Sequence, residues 1–225
     1  MRWTRRLTLR CLWLLLIAVV SGMLSPSGGY AQVSLLPSVG VYSPLSDLLD
    51  VRDEEGMPLF EAGRKNSTLA LGLAAELGSP AASWGARVQL GYATASEVPV
   101  EGVGCEDCEL RSTLLTATAG VILRPFPELL ILRPHLLLGG GVKRYGFDRD
   151  DLEAEGWDQV LRDQTQPTLH LAAGGALRLG IVTPRFEIGA LISRIDGVGD
   201  ESGLSSSDDL QTDLFLMVSI PLVGR

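Results

Sequence analysis

The sequence predicts an all-β fold: an eight-stranded antiparallel up-and-down transmembrane β-barrel, with long acidic extracellular loops and short periplasmic turns. Three observations carry that expectation. Apolar residues recur with period two over eight segments, most of about 9 to 13 residues. Strands of water-soluble proteins are shorter, about 5–6 residues, whereas a tilted strand crossing a bilayer needs about 9–11. Connections alternate long and short, as surface loops and inner turns do in outer-membrane barrels. Finally, all but four of the 27 acidic residues lie in the four long connections; the exceptions are Glu76, Glu128, Glu187 and Asp213.

Residues 1–31 stand apart. Arg2, Arg5, Arg6 and Arg10 precede an apolar run from Leu12 to Val20, and Gly29-Tyr30-Ala31 offers small residues before a cut. This is the layout of a cleaved signal peptide, with the mature chain starting at Gln32. The run falls short of the roughly 20 residues a spanning helix needs. Cys11 precedes the run, so it is not a lipidated first residue of the mature chain. Residues 32–225 are then one barrel domain. Removing four of the 19 basic residues leaves 15 against 27 acidic, a net of −12. Nucleic acid is not expected as a partner, because phosphate binding needs clustered Lys and Arg.

The eight expected strands are Ser34–Tyr42, Ser67–Gly78, Trp84–Ala95, Ser112–Arg124, Arg133–Tyr145, Thr168–Gly180, Pro184–Arg194 and Gln211–Leu222. Their phase assigns two faces. In Ser67–Gly78, Leu69, Leu71, Leu73, Ala75 and Leu77 oppose Thr68, Ala70, Gly72, Ala74 and Glu76. In Trp84–Ala95, Trp84, Ala86, Val88, Leu90 and Tyr92 oppose Gly85, Arg87, Gln89, Gly91 and Ala93. The strand Thr168–Gly180 sets Leu169 and Leu171 against His170 and Arg178. A water-exposed face would be rich in Lys, Glu, Thr and Gln. Here the non-leucine face is mostly Gly, Ala and Ser with single charges, which suits the crowded interior of eight strands. Leucine faces lipid, with Trp84 and Tyr92 near strand ends as interfacial aromatics. Leu114, Leu137, Leu191 and Phe215 put isolated apolar side chains on the inner face.

The long connections are Ser43–Asn66, Ser96–Arg111, Gly146–Pro167 and Ile195–Leu210; Ser79–Ser83 and Ile181–Thr183 are short, and Pro125–Leu132 is intermediate. This plan resembles the small outer-membrane barrels of the OmpA-transmembrane and OmpX/Ail type. The stretch "LRPHLLLGGGVKRYGF", Leu132 to Phe147, is similar to the Pro-aromatic-Gly-Gly strand that recurs in such domains, with His135 where an aromatic is usual. The resemblance implies residence in a bacterial outer membrane. The implied partners are its lipid and lipopolysaccharide and the barrel-assembly machinery.

Cys105-Glu106-Asp107-Cys108 is the sharpest local motif. A CxxC serves as a redox dithiol, half a zinc site or a small disulfide ring. A redox thiolate is favoured at a helix N-terminus, but this pair lies in a connection among acidic residues. Zinc needs about four ligands, and no second cysteine pair follows. The expectation is a Cys105–Cys108 disulfide; free thiols or a metal site are the alternatives.

Phase places Glu76, Arg87, Lys143, Arg178, Arg185, Glu187 and Asp213 in the lumen, with His135 and His170. Charges of both signs in so narrow a space should pair. That network reads as a plugged interior, with a gated polar passage as the alternative. Neither histidine has a serine two residues away on its own face, so no hydrolase triad is indicated. Asp148–Gln159 and Asp196–Gly203 are rich in acid but lack EF-hand spacing, and read as solvated, repulsive surface. No catalytic residue, cofactor or metal is expected. The expected role is structural or surface interaction; an OmpW-like small-solute channel is the alternative, with a lipid A-modifying enzyme behind it.

Overall fold

The computed structural model describes residues 32–46, 49–52, 58–62, 65–79, 82–102, 105–126, 131–148, 164–180, 182–194, 205–206 and 210–223. The segment expected to be a signal peptide lies outside them. In chain order the strands are β1 Val33–Pro44, β2 Leu49–Arg52, β3 Pro58–Ala62, β4 Thr68–Leu77, β5 Trp84–Gly102, β6 Cys105–Leu123, β7 Leu132–Phe147, β8 Gln164–Leu177, β9 Arg185–Arg194, β10 Ser205–Ser206, β11 Leu210–Ser219 and β12 Leu222–Val223. Eight of them, β1, β4, β5, β6, β7, β8, β9 and β11, pair antiparallel in a closed ring. They correspond one for one to the eight segments read from periodicity.

The register fixes the barrel's dimensions. Starting at His135 on β7, the pairings run through Gly174, Glu187, Met217, Gly40, Ala70, Ala93 and Leu114 and return to β7 at Tyr145. One circuit therefore advances ten residues. Ten residues at about 3.3 Å against eight strands at about 4.8 Å give a tilt of about 41° and a backbone radius of about 8 Å. Each residue then climbs about 2.5 Å along the axis.

Polarity is inverted relative to a water-soluble barrel. Leu69, Leu71, Leu136, Leu138, Leu169, Ile188 and Leu216 are exposed on the outside, whereas Glu76, Lys143, His170 and Asp213 are buried inside. On β7 the outward residues from Leu132 to Val142 are apolar, Pro or Gly, and Arg144 ends the run. Ten residues at about 2.5 Å make a band about 25 Å tall, the height of the apolar belt of a transmembrane barrel. Trp84, Phe126 and Phe186 are exposed near the short-turn end, and Tyr92 is exposed nearer the other.

Three expectations about strand limits need correction. β5 and β6 continue as one hairpin through the connection expected at Ser96–Arg111, past an irregularity between Ala93 and Ser96. The connection expected at Ser43–Asn66 contains β2 and β3, and β3 pairs with that extended β5. The last strand breaks after Ser219, where Pro221 lacks the N–H a ladder requires; Leu222 pairs separately with Leu35.

Candidate functional site

The inward faces of the eight strands make the lumen, and small residues there leave room for large ones beside them. A Cβ on Gly174 would lie 2.8 Å from the His135 ring, and one on Gly85 would lie 3.1 Å from the Arg124 guanidinium. Phe215 likewise occupies the space over Gly189. The polar side chains gather into two groups. β7 carries a member of each, His135 and Lys143, eight residues and therefore about 20 Å of height apart.

The group near the short turns is built on two carboxylates. Glu76 accepts hydrogen bonds from Arg87, Arg124 and Arg185. Glu187 accepts from Arg87 and lies 3.0 Å from His135 Nε2. Glu76 and Arg87 are direct partners across β4 and β5. His135 reaches Glu187 because Gly174, the residue between them on β8, has no side chain.

The group near the long connections centres on Asp213. Lys143 donates to Asp213 at 2.6 Å and to Gln211 at 2.7 Å, and the Tyr145 hydroxyl donates to Asp213 at 3.1 Å. Tyr42 and Tyr145 share a hydroxyl contact of 3.1 Å. Lys65, just before β4 and beyond the apolar belt, donates to the Ser112 carbonyl at 2.6 Å and sits 5.9 Å from the Tyr42 ring centroid. Burial pushes its ammonium down to about 8, with the Asp213 carboxylate opposing that shift.

Between the groups, His170 Nδ1 lies 2.9 Å from Thr118 Oγ1, and the imidazole meets Phe215 edge-on at 5.2 Å. Leu114, Leu137 and Leu191 are buried with them. A cavity of about 40 Å³ opens here, lined largely by apolar side chains that include Leu114, Leu191, Phe215 and Met217, with Gln89 and Thr116 among its polar members.

Of the sequence-derived lumen residues, Glu76, Arg87, His135, Lys143, His170, Arg185, Glu187 and Asp213 point inward and meet as described. Arg178 does not. β8 ends at Leu177, and the chain turns through Gly180 at φ +61°, with Leu179 bridging Val182. Arg178 is consequently exposed past the strand end, where the alternation no longer applies. Cys105 and Cys108 lie at the start of β6 rather than in a loop, opposite Gly102 and Val100, and the ladder is irregular between those two pairings.

Sequence reasoning missed Arg124, Tyr42, Tyr145, Gln211 and Lys65. Arg124 shares the phase of Thr116, Thr118 and Gly120, so alternation could have found it. Tyr145 and Gln211 share the phases of Lys143 and Asp213. Lys65 lies outside any strand and carries no periodic signal. Among the described residues no group of three or more His, Cys, Asp or Glu side chains is arranged to hold a metal ion.

A closed eight-stranded ring with an apolar exterior and a charged interior defines a transmembrane β-barrel. No protein-family model and no curated protein sequence matches the chain. Among solved structures it is similar to Neisserial surface protein A, at 11% identity and a TM-score of 0.46, covering 84% of this chain and 97% of that one. It is also similar to Ail, the attachment invasion locus protein of Yersinia pestis, solved with the heparin analogue sucrose octasulfate, at 14% identity and a TM-score of 0.40, covering 85% and 99%.

Proposed function

We propose that the protein is an outer-membrane barrel of a bacterium with two membranes, exported through residues 1–31, with a structural or surface-interaction role and an interior closed by its own side chains. The observation that carries this reading is the pair of charged networks across the lumen, with a cavity of about 40 Å³ between them. Among the described residues, that cavity is room for about three waters.

The role is non-catalytic on this reading. His135 bonds a carboxylate but no hydroxyl, and His170 bonds a hydroxyl but no orienting carboxylate. A nucleophile–base–acid relay needs both contacts on one imidazole. The partners are outer-membrane lipid and lipopolysaccharide, and the barrel-assembly machinery during insertion. The acidic connections form the outer surface, where their charge keeps neighbouring anionic surfaces apart.

The test is planar-bilayer recording on protein extracted from membranes, after heat-modifiable gel migration has established a folded barrel. The expected result is no steady unitary conductance. Steady conductance would replace this reading with the small-solute channel. Protease added to intact cells should cut within Ser43–Asn66 or Gly146–Pro167 and spare Ser79–Ser83; cleavage restricted to the short turn would reverse the orientation.

A further inference from the structure

The charged network near the short turns leaves two arginines outside it. Arg133, on β7, is half-buried, and Arg178, past the end of β8, is exposed. Arg133 pairs with Ala176, and the Arg178 amide donates to the Ile131 carbonyl at 3.0 Å. The two arginines are therefore diagonal neighbours across the end of one ladder, and long side chains reach along such a diagonal. Both buried carboxylates at this end are taken, Glu76 by Arg87, Arg124 and Arg185, and Glu187 by Arg87 and His135. Among the described residues, neither the Arg133 nor the Arg178 guanidinium meets an acid.

The surroundings of the pair are apolar and exposed. Ile131 is 66% exposed, and Leu179 and Val182, which bridge each other beside Arg178, are exposed as well. Leu132 begins the apolar belt on β7. Ile131 and Arg133 thus stand one residue, about 2.5 Å, below and above its lower edge. Lipid phosphates lie just outside the hydrocarbon layer. An arginine at that level keeps its stem in the apolar layer and extends its head to them, and the guanidinium fork matches a phosphate in a two-pronged hydrogen bond.

We propose that Arg133 and Arg178 together hold the phosphate of one anionic glycerophospholipid in the leaflet at the short turns, with Ile131, Leu179 and Val182 against its glycerol and upper acyl chains. The exposed apolar residues select a lipid over a free anion. The two guanidiniums select a headgroup that carries no ammonium of its own. The site rests on the reading of the chain as an outer-membrane barrel with its short turns on the inner side.

Protein in non-ionic detergent micelles, with folding established by heat-modifiable migration, is titrated with phosphatidylglycerol, and bound lipid is counted by native mass spectrometry. One lipid should be retained saturably, about tenfold more tightly than phosphatidylcholine. Arg133→Gln/Arg178→Gln should abolish that preference, and Arg178→Gln alone should lower it about twofold, as for an exposed charge. Where Arg133→Gln does not fold, Arg133→Lys takes its place and should weaken binding about threefold, the charge being kept and the fork lost. Inorganic phosphate in large excess should leave the lipid bound; displacement would make this a site for free anions and overturn the lipid. Glu128 is the acid nearest to Arg133 in sequence; a gain in lipid affinity of about tenfold in Glu128→Gln would assign the arginines to that residue instead. Equal retention of both lipids, or a preference that survives the double variant, overturns the site alone. Absence of a heat-modifiable band overturns the barrel reading beneath it.

Discussion

Replacing Glu76 by glutamine keeps its shape and removes the charge that three guanidiniums share. Its side chain is 4% exposed, and it accepts from Arg87, Arg124 and Arg185. At about 4 Å and an effective dielectric constant near 20, each pair contributes about 4 kcal/mol of attraction, so about 12 kcal/mol before desolvation. Most of that offsets the cost of withdrawing the ions from water, and the glutamine oxygen still accepts one hydrogen bond. The expected net loss is about 3–5 kcal/mol, that of leaving buried charge unpaired. Glu187 cannot compensate, because Arg87 and His135 already occupy it. Urea unfolding in lipid vesicles, followed by tryptophan fluorescence, measures the change. A Glu76→Gln/Arg185→Gln double variant removes one stranded cation and should be more stable than the sum of the single losses implies, by about 1–3 kcal/mol. If Glu76→Gln lies within about 0.5 kcal/mol of the parent, or the two losses simply add, the network does not hold the lower lumen together.

The same assay tests the outer face: Leu171→Arg should cost about 2–4 kcal/mol in the lipid belt, while Leu171→Phe should be mild, in contrast to the roughly 1–3 kcal/mol of overpacking a protein core. Severe loss from the phenylalanine would turn that face inward. Arg178→Leu should change stability by no more than about 0.5 kcal/mol, as for an exposed position, and a large loss would return Arg178 to the lumen. Lys65 has a folded-state pKa of about 8, below its ordinary value of 10.5; the unfolded chain therefore binds more protons between those values, and stability should rise with pH across that window and level off above it. In Lys65→Met that rise should vanish, and its persistence would assign the dependence to another group. The Cys105–Cys108 disulfide expected from the sequence predicts that folded protein taken without reductant resists alkylation at both thiols; full labelling of both in the absence of metal would exclude the bridge.

Much of the barrel was legible because its chemistry repeats every two residues. Leu169, His170, Leu171 and Ala172 alternate without exception, so their faces follow once the environment is decided; the Gly, Ala and Ser of the non-leucine faces decided it, and the concentration of acid in the long connections agreed. Strand limits were less legible, for two different reasons. At Arg178 the alternation runs on in sequence while the backbone has begun its turn around Gly180. From Ser96 to Arg111 polar and apolar residues mix with Pro and Gly and the alternation lapses, yet the backbone ladder between β5 and β6 continues past its irregularities. Backbone pairing needs no periodic side chains, so a hairpin that rises out of the membrane leaves a weaker pattern than its lower half.

The pairing of the lumen charges was illegible for a geometric reason. Period two says which residues face inward; which of them meet depends on the ten-residue advance around the ring. Glu76 and Arg87 are neighbours across a single hairpin, so their contact is local. Lys143 and Asp213 lie 70 residues apart in sequence and meet at 2.6 Å because that advance brings β7 and β11 to the same height. Arg185 reaches Glu76 across β11 and β1 on the same principle. A different advance would keep every inward residue inward and give each charge another partner. Two charges of one sign would then share a level, at the cost of unpaired ions in an apolar belt. The inward charges thus favour one register over its neighbours, while the outward leucines, being much alike, tolerate several. Specificity of closure resides in the lumen, and affinity for the membrane resides outside it.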